Sequence, residues 1–135
     1  MTPFARPSLA IVFGAFIVCT ETCFHFDSVV RGVWLDMPWH DWIAGAALAA
    51  AGLSERRGAT DLLLPAAWAF MLSLLVGAFF NHLADWLTVP QQASDTWLSE
   101  GALLGILSAL IGIAASGLFA TLAITRSGSH QSRSG

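Results

Sequence analysis

The stretch Thr20-Glu21-Thr22-Cys23-Phe24-His25-Phe26-Asp27 closes the first long apolar run of the chain, and the rest of the fold can be worked out from it. It places a carboxylate and an imidazole four residues apart, and therefore on one side of a helix, in a segment otherwise suited to lipid. A carboxylate at bilayer depth costs about 2.5–3.5 kcal/mol on insertion scales, so it usually faces protein or water. The stretch therefore predicts a membrane helix with a polar site near its outer end.

The composition is that of an integral membrane protein. Of the 135 residues, 56% are hydrophobic and only 11% are charged, and the mean hydropathy is +0.67. Soluble domains have about 25% charged residues, so this chain lacks the polar surface to face water on all sides. The net charge of −3 and the lack of a basic cluster argue against nucleic acid as a partner. We expect a multi-pass protein in contact with the lipid bilayer of a plasma membrane, the bacterial inner membrane being the preferred assignment.

Four apolar segments separated by polar turns predict an all-α fold, a four-helix bundle in which every helix is transmembrane. Residues 1–126 form this single predicted domain, and residues 127–135 are expected to be a disordered tail. The predicted helices run from Ser8 to Phe26, from Pro38 to Ser54, from Thr60 or Asp61 to Trp86, and from Asp95 or Thr96 to Thr125.

The placement of the arginines predicts that both termini are cytoplasmic. The N-terminus, the second loop and the tail all carry arginine, whereas loop 1 carries one and loop 3 none. Cytoplasmic segments of membrane proteins are enriched in such residues. With this topology the tryptophans fall at the outer interface, with Trp68 as the exception. The arginines on the predicted cytoplasmic side are Arg6, Arg56, Arg57, Arg126 and Arg133.

Histidines and carboxylates gather at the predicted outer ends of helices 1–3 and favour a metal site. Imidazole and carboxylate ligands suit Zn, Fe, Cu or Mn, and four-helix bundles hold such ions between facing helices. The corresponding function is metal capture, delivery or metal-dependent chemistry on the periplasmic side. The predicted metal ligands are Glu21, His25, His40 and His82, with Asp41 or Asp85 as a further ligand or as the partner that orients a histidine.

Two alternatives stay open. In one, His25 and His82 are the axial ligands of a b-type haem, and Arg31 pairs with its propionates. In the other there is no cofactor, the polar residues only cap helices and anchor the interface, and the chain is a scaffold or accessory subunit. Catalytic signatures of strict spacing, such as His-Glu-x-x-His or Gly-x-Ser-x-Gly, do not occur in the sequence. Whether the chain is an enzyme is therefore left open.

The last helix carries small residues about one turn apart and no ionisable side chain between Gly101 and Thr125. Small residues let helix backbones approach closely in membranes. We expect this side of the helix to pack within the bundle. The alternative is contact with a second copy of the chain or with a larger membrane complex. The predicted packing residues are Gly101, Gly105, Ser108, Gly112 and Ser116.

The only two cysteines, Cys19 and Cys23, lie one helical turn apart in the first apolar run. This spacing brings their side chains near each other. A disulfide would have to form within a single helix at membrane depth, so we expect two small buried thiols instead.

Overall fold

The computed structural model describes residues 5–33, 37–57, 62–88 and 100–131, with side chains described for 7–33, 37–57, 62–88 and 101–123. These residues form helices and no strand, which confirms the predicted all-α class for this part of the chain. The helices are α1 (Ala5–Phe24), α2 (Phe26–Arg31), α3 (Trp39–Arg56), α4 (Leu63–Thr88) and α5 (Glu100–Gln131). The predicted helix starts at Thr60 or Asp61 and at Asp95 or Thr96 lie outside the described residues.

Three of these helices are long and apolar enough to cross a membrane. The spans are Pro7–Phe24, Leu63–Thr88 and Gly101–Ala123. The remaining long helix, α3, does not belong to this group, and its 18 residues include Asp41, Glu55 and Arg56. The composition of α1, α4 and α5 thus agrees with a membrane protein.

The helical path continues past the predicted end of helix 1. His25 interrupts the regular helix with φ −100° and ψ 19°, yet its backbone N–H still donates to the carbonyl oxygen of Glu21 at 3.0 Å. The following helix α2 ends at Gly32, which has φ 67° in the left-handed region. The N–H groups of Gly32 and Val33 donate to the carbonyl oxygens of Val29 and Ser28, which is the Schellman arrangement that glycine allows at a helix end. Arg31, expected in a loop, therefore belongs to a helix.

The last helix also runs further than predicted. It ends at Gln131 rather than at Thr125, and so covers residues 127–131 of the segment expected to be disordered. A single glycine such as Gly128 costs a helix about 1 kcal/mol, which is not enough to stop it. Polar composition alone thus placed the end of this helix too early.

Helices α1 and α3 lie antiparallel, with their backbones in close contact. The guanidinium of Arg56 at the end of α3 donates to the hydroxyl of Ser8 near the start of α1, at 2.6 Å. A Cβ added to Gly45 would lie 2.7 Å from the carbonyl oxygen of Gly14, and one added to Gly52 would lie 2.7 Å from that of Pro7. Glycine is therefore required along this seam, where small residues let the backbones of the two helices approach closely.

The second pair of helices, α4 and α5, packs onto the first mainly through α3. At the centre lies Trp68 of α4, which is 1% exposed. Its ring lies 5.5 Å from that of Phe13 of α1, measured between centroids. On its other side the ring covers Gly117 of α5, where an added Cβ would lie 2.6 Å from Cζ2 of the indole. One side chain thus joins three helices, which explains why this tryptophan lies away from the predicted interface.

Candidate functional site

The antiparallel pairing of α1 and α3 brings the end of one helix beside the start of the other. Four of the six predicted metal ligands lie at this end: Glu21, His25, His40 and Asp41. The carboxylates of Glu21 and Asp41 are close enough to repel each other, although they come from different helices. His25 and His40 both act on Asp41 with the opposite, attractive sign. We call these four residues the α1–α3 cluster.

Within the α1–α3 cluster, Glu21 and His25 share one side of α1. The Nε2 atom of His25 lies 3.8 Å from Oε2 of Glu21, which allows a charge interaction but is too long for a hydrogen bond. The side chains are 28% exposed for Glu21 and 41% exposed for His25. The carboxylate is thus the more enclosed of the two groups.

On α3, the first turn carries the other two members of the α1–α3 cluster. Pro38 precedes the helix, and His40 is exposed while Asp41 is half-buried. The next residue, Trp42, has a buried indole N–H with no hydrogen-bond acceptor among the described residues. An unmet buried donor costs about 1–3 kcal/mol, so this group is suited to donate to an added acceptor. Sequence reasoning placed Trp42 at the interface and missed this property, which depends on what surrounds the ring.

The two remaining predicted ligands, His82 and Asp85, belong to α4. Asp85 is exposed and His82 is half-buried. Across the described part of the chain, no three His, Cys, Asp or Glu side chains lie close enough together to hold one metal ion. The six residues therefore do not form one ready-made site. Helix α4 packs against α5 and α3 much more than against α1, which limits what it can add to a site at the end of α1.

The residue expected beside haem propionates has another partner. The Nε atom of Arg31 donates to Oδ1 of Asp27 at 3.0 Å, one helical turn away in α2. Both side chains are largely exposed, at 71% and 75%. Arg31 is therefore paired within its own helix, and the haem hypothesis stays a prediction.

The small residues of α5 lie on the outside, which corrects the expectation that they pack within the bundle. A Cβ added to the three glycines of this set would meet no described atom within 4 Å. The two serine hydroxyls donate to carbonyl oxygens one turn back in α5. The exposed set is Gly101, Gly105, Ser108, Gly112 and Ser116. The buried side of α5 is instead formed by Leu107, Ala114, Gly117 and Thr121.

The two cysteines are also exposed, whereas buried thiols were expected. They lie on the side of α1 away from Glu21 and His25, because residues two apart in a helix point about 200° apart. The sequence could have predicted this exposure. Once Glu21 is assigned to the protein side, helical periodicity places Cys19 and Cys23 on the opposite side.

Comparison of the chain with family models, with curated proteins and with solved structures finds no match. A function for this chain therefore rests on the chemistry of its own residues.

Proposed function

We propose that the chain crosses the membrane four times, with α3 as the fourth span and both termini in the cytoplasm. Arginine lies near both ends of the sequence and in the second loop. The positive-inside rule favours placing all three regions in the cytoplasm, which gives an even number of crossings. The 18 residues of α3 are about 27 Å long, close to the ~30 Å hydrocarbon thickness. The close glycine seam with α1 gives α3 a protein surface to pack on, which offsets its lower hydropathy.

The function that the geometry supports best is the binding of a divalent transition metal, of the Zn, Fe, Cu or Mn class, at the α1–α3 cluster. The observation that carries this proposal is the antiparallel pairing of α1 and α3, which places two partly enclosed carboxylates from different helices, Glu21 and Asp41, at the same end of the pair. Like charges in a poorly solvated site need a compensating cation or proton. Each carboxylate also has a histidine close enough to interact with it, His25 for Glu21 and His40 for Asp41. His82 and Asp85 are not part of this proposal.

In this proposal the metal draws the side chains of the α1–α3 cluster together. Rotation of the four side chains is enough to turn their oxygen and nitrogen atoms towards a shared ion. The antiparallel helices fix the distance between the ligands of α1 and those of α3. The acidic character of this end attracts cations in preference to anions. Capture or delivery of a metal ion on the non-cytoplasmic side is therefore the function we propose for the site.

The test is metal content after equilibrium dialysis against Zn²⁺ or Mn²⁺, with the full chain in lipid nanodiscs. We expect one ion per wild-type chain. Glu21→Gln and Asp41→Asn each remove a ligand without changing its size, and each should weaken binding by at least about 10–100-fold, the loss seen even for residues next to metal ligands. Asp27→Asn is the matched control, because Asp27 lies close by but is exposed and paired with Arg31.

Wild type that stays metal-free while its circular dichroism shows a folded helical protein would contradict metal binding. A shared proton would then account for the two carboxylates. Equal losses in Asp27→Asn and Glu21→Gln would also count against the site, since general loss of negative charge would explain both.

A second proposed function, an accessory or scaffold subunit, is favoured by the exposed small residues of α5. Three glycines of α5 offer unfilled space on the side opposite its buried side. A second copy of the chain, placing its own α5 there, is the partner that we propose, because identical small surfaces allow close contact of two backbones.

We expect Gly105→Leu and Gly112→Leu to shift the chain from oligomer to monomer, weakening association at least tenfold for a loss of about 1.4 kcal/mol. Gly77→Leu is the matched control, because Gly77 is an exposed glycine of α4 that also has open space around it. Subunit counting by single-molecule photobleaching in nanodiscs measures the outcome. A monomeric wild type would refute this proposal, and so would an equal effect of Gly77→Leu.

A further inference from the structure

An open recess of about 490 Å³ lies along α1 beside both cysteines. The two thiols are exposed and form no disulfide. The hydroxyl of Thr20 already donates to the carbonyl oxygen of Phe16 at 2.7 Å, which leaves the thiols as the soft, ionisable ligands of the recess. The described lining residues are Phe16, Cys19, Thr20, Cys23 and Phe24.

The spacing of these thiols disfavours a disulfide and fits a bridging ion. Residues four apart in a helix have their Cβ atoms about 5–6 Å apart, whereas a disulfide needs about 3.5–4.5 Å. Forming the bond would therefore distort α1. Two thiolates on opposite sides of a metal ion, each at about 2.3 Å, lie about 4.6 Å from each other. Two cysteines one helical turn apart can reach this sulfur–sulfur distance by rotating their side chains, without moving the helix.

We propose that Cys19 and Cys23 form a second metal site, which holds a thiophilic ion in linear, two-coordinate geometry. Soft thiolate ligands select soft ions over Mg²⁺, Ca²⁺ or Mn²⁺. Among the described lining residues, the ligands are the two sulfur atoms, beside apolar and threonine side chains. An ion that needs four strong ligands, such as structural Zn²⁺, therefore finds too few ligands here.

Charge balance selects the preferred ion. Binding of a divalent ion M²⁺ releases one proton from each thiol and forms two metal–sulfur bonds, so the bound S–M–S unit is neutral. Binding of Cu(I) in the same way leaves one net negative charge. Both cysteines lie within the apolar span Pro7–Phe24, where an uncompensated charge is costly. Hg(II), the soft divalent ion that prefers two collinear thiolates, should therefore bind more tightly than Cu(I).

This site is separate from the α1–α3 cluster. Cys19 and Cys23 lie on the opposite side of α1 from Glu21 and His25, and the two sites use ligands of different softness. Glu21→Gln should therefore leave Hg(II) binding unchanged, while Cys19→Ser should leave Zn²⁺ or Mn²⁺ content unchanged. Failure of one site is thus distinguishable from failure of the other.

The experiment is a titration of the full reduced chain in nanodiscs with mercury(II) chloride, in the presence of a competing monothiol. Thiolate-to-metal charge-transfer absorbance, free-thiol content and bound mercury are measured together. We expect one ion per chain and the loss of both free thiols. Cys19→Ser and Cys23→Ser should each weaken binding by about 10²–10⁴-fold, because two-point attachment is lost.

The matched control moves one thiol without removing it. Ala15→Cys combined with Cys19→Ala leaves thiols at positions 15 and 23, on the same side of α1 but about 12 Å apart. Ala15 is exposed, so the change is accommodated. This variant should bind as weakly as the single-thiol variants. Equal affinity of wild type and this variant, or two ions per wild-type chain, would overturn the proposal, since the thiols would then act independently.

Discussion

Leucine at position 45 is expected to separate α1 from α3 and to destabilise the folded chain by about 3 kcal/mol or more, at or beyond the upper end of the usual cost of overpacking. A Cβ alone at this position would lie 2.7 Å from the carbonyl oxygen of Gly14 and 2.8 Å from Cγ2 of Val18. The first of these atoms belongs to the backbone of α1 and cannot rotate away. Because the helices are rigid, Gly45→Leu can only be accommodated by moving one of them.

The measurement is the free energy of unfolding in detergent micelles, followed by circular dichroism during titration with a denaturing detergent. Ala46→Leu is the control, because Ala46 is the next residue of α3 and is exposed, where substitutions usually change stability by less than about 0.5 kcal/mol. The destabilisation by Gly45→Ala should lie between those of Gly45→Leu and Ala46→Leu. If Gly45→Leu and Ala46→Leu unfold alike, the seam between α1 and α3 does not exist as described.

The second large effect is expected for Trp68→Ala, which should cost about 3–5 kcal/mol, the usual range for truncating a buried aromatic side chain. Trp68 is 1% exposed, and its indole contacts Phe13 of α1 and Gly117 of α5. Removing the indole leaves a cavity, and rigid helices cannot move together to fill it. Trp86→Ala is the control, because the side chain of Trp86 on the same helix is 42% exposed. Equal losses of stability in the two variants would contradict the central position of Trp68.

A double-mutant cycle with Gly117 sharpens this prediction. In wild type, Gly117→Ala forces a Cβ to within 2.5–2.8 Å of the indole ring, so it should be clearly destabilising. In the Trp68→Ala background the ring is gone, and Gly117→Ala should be neutral or mildly stabilising, because alanine favours the helix by about 1 kcal/mol. The difference between the two effects is the coupling energy of this contact. Additive effects would show that the ring does not lie on Gly117.

The site was only partly predictable from the sequence. Depth along a helix follows from counting residues, and depth alone predicted that His25, His40 and His82 lie at a similar level and meet. The rotation of each helix about its own axis does not follow from counting, and it decides which side chains point at one another. The pairing of α1 with α3 brings Glu21 towards Asp41, while α4 does not complete a group of three ligands with them.

The sequence by itself determined the helical class, because long apolar runs between polar turns leave few other ways to satisfy the backbone. It predicted four membrane-crossing helices, of which three are long and apolar enough to cross in the described part of the chain. It also singled out Trp68 as the tryptophan away from the interface. Only the tertiary structure decided which side of each helix faces protein. In α5 both sides are apolar or small, so hydropathy cannot separate the side that packs from the side that faces outward. Shape complementarity with Trp68 decides it, by placing Gly117 inside and Gly105 and Gly112 outside.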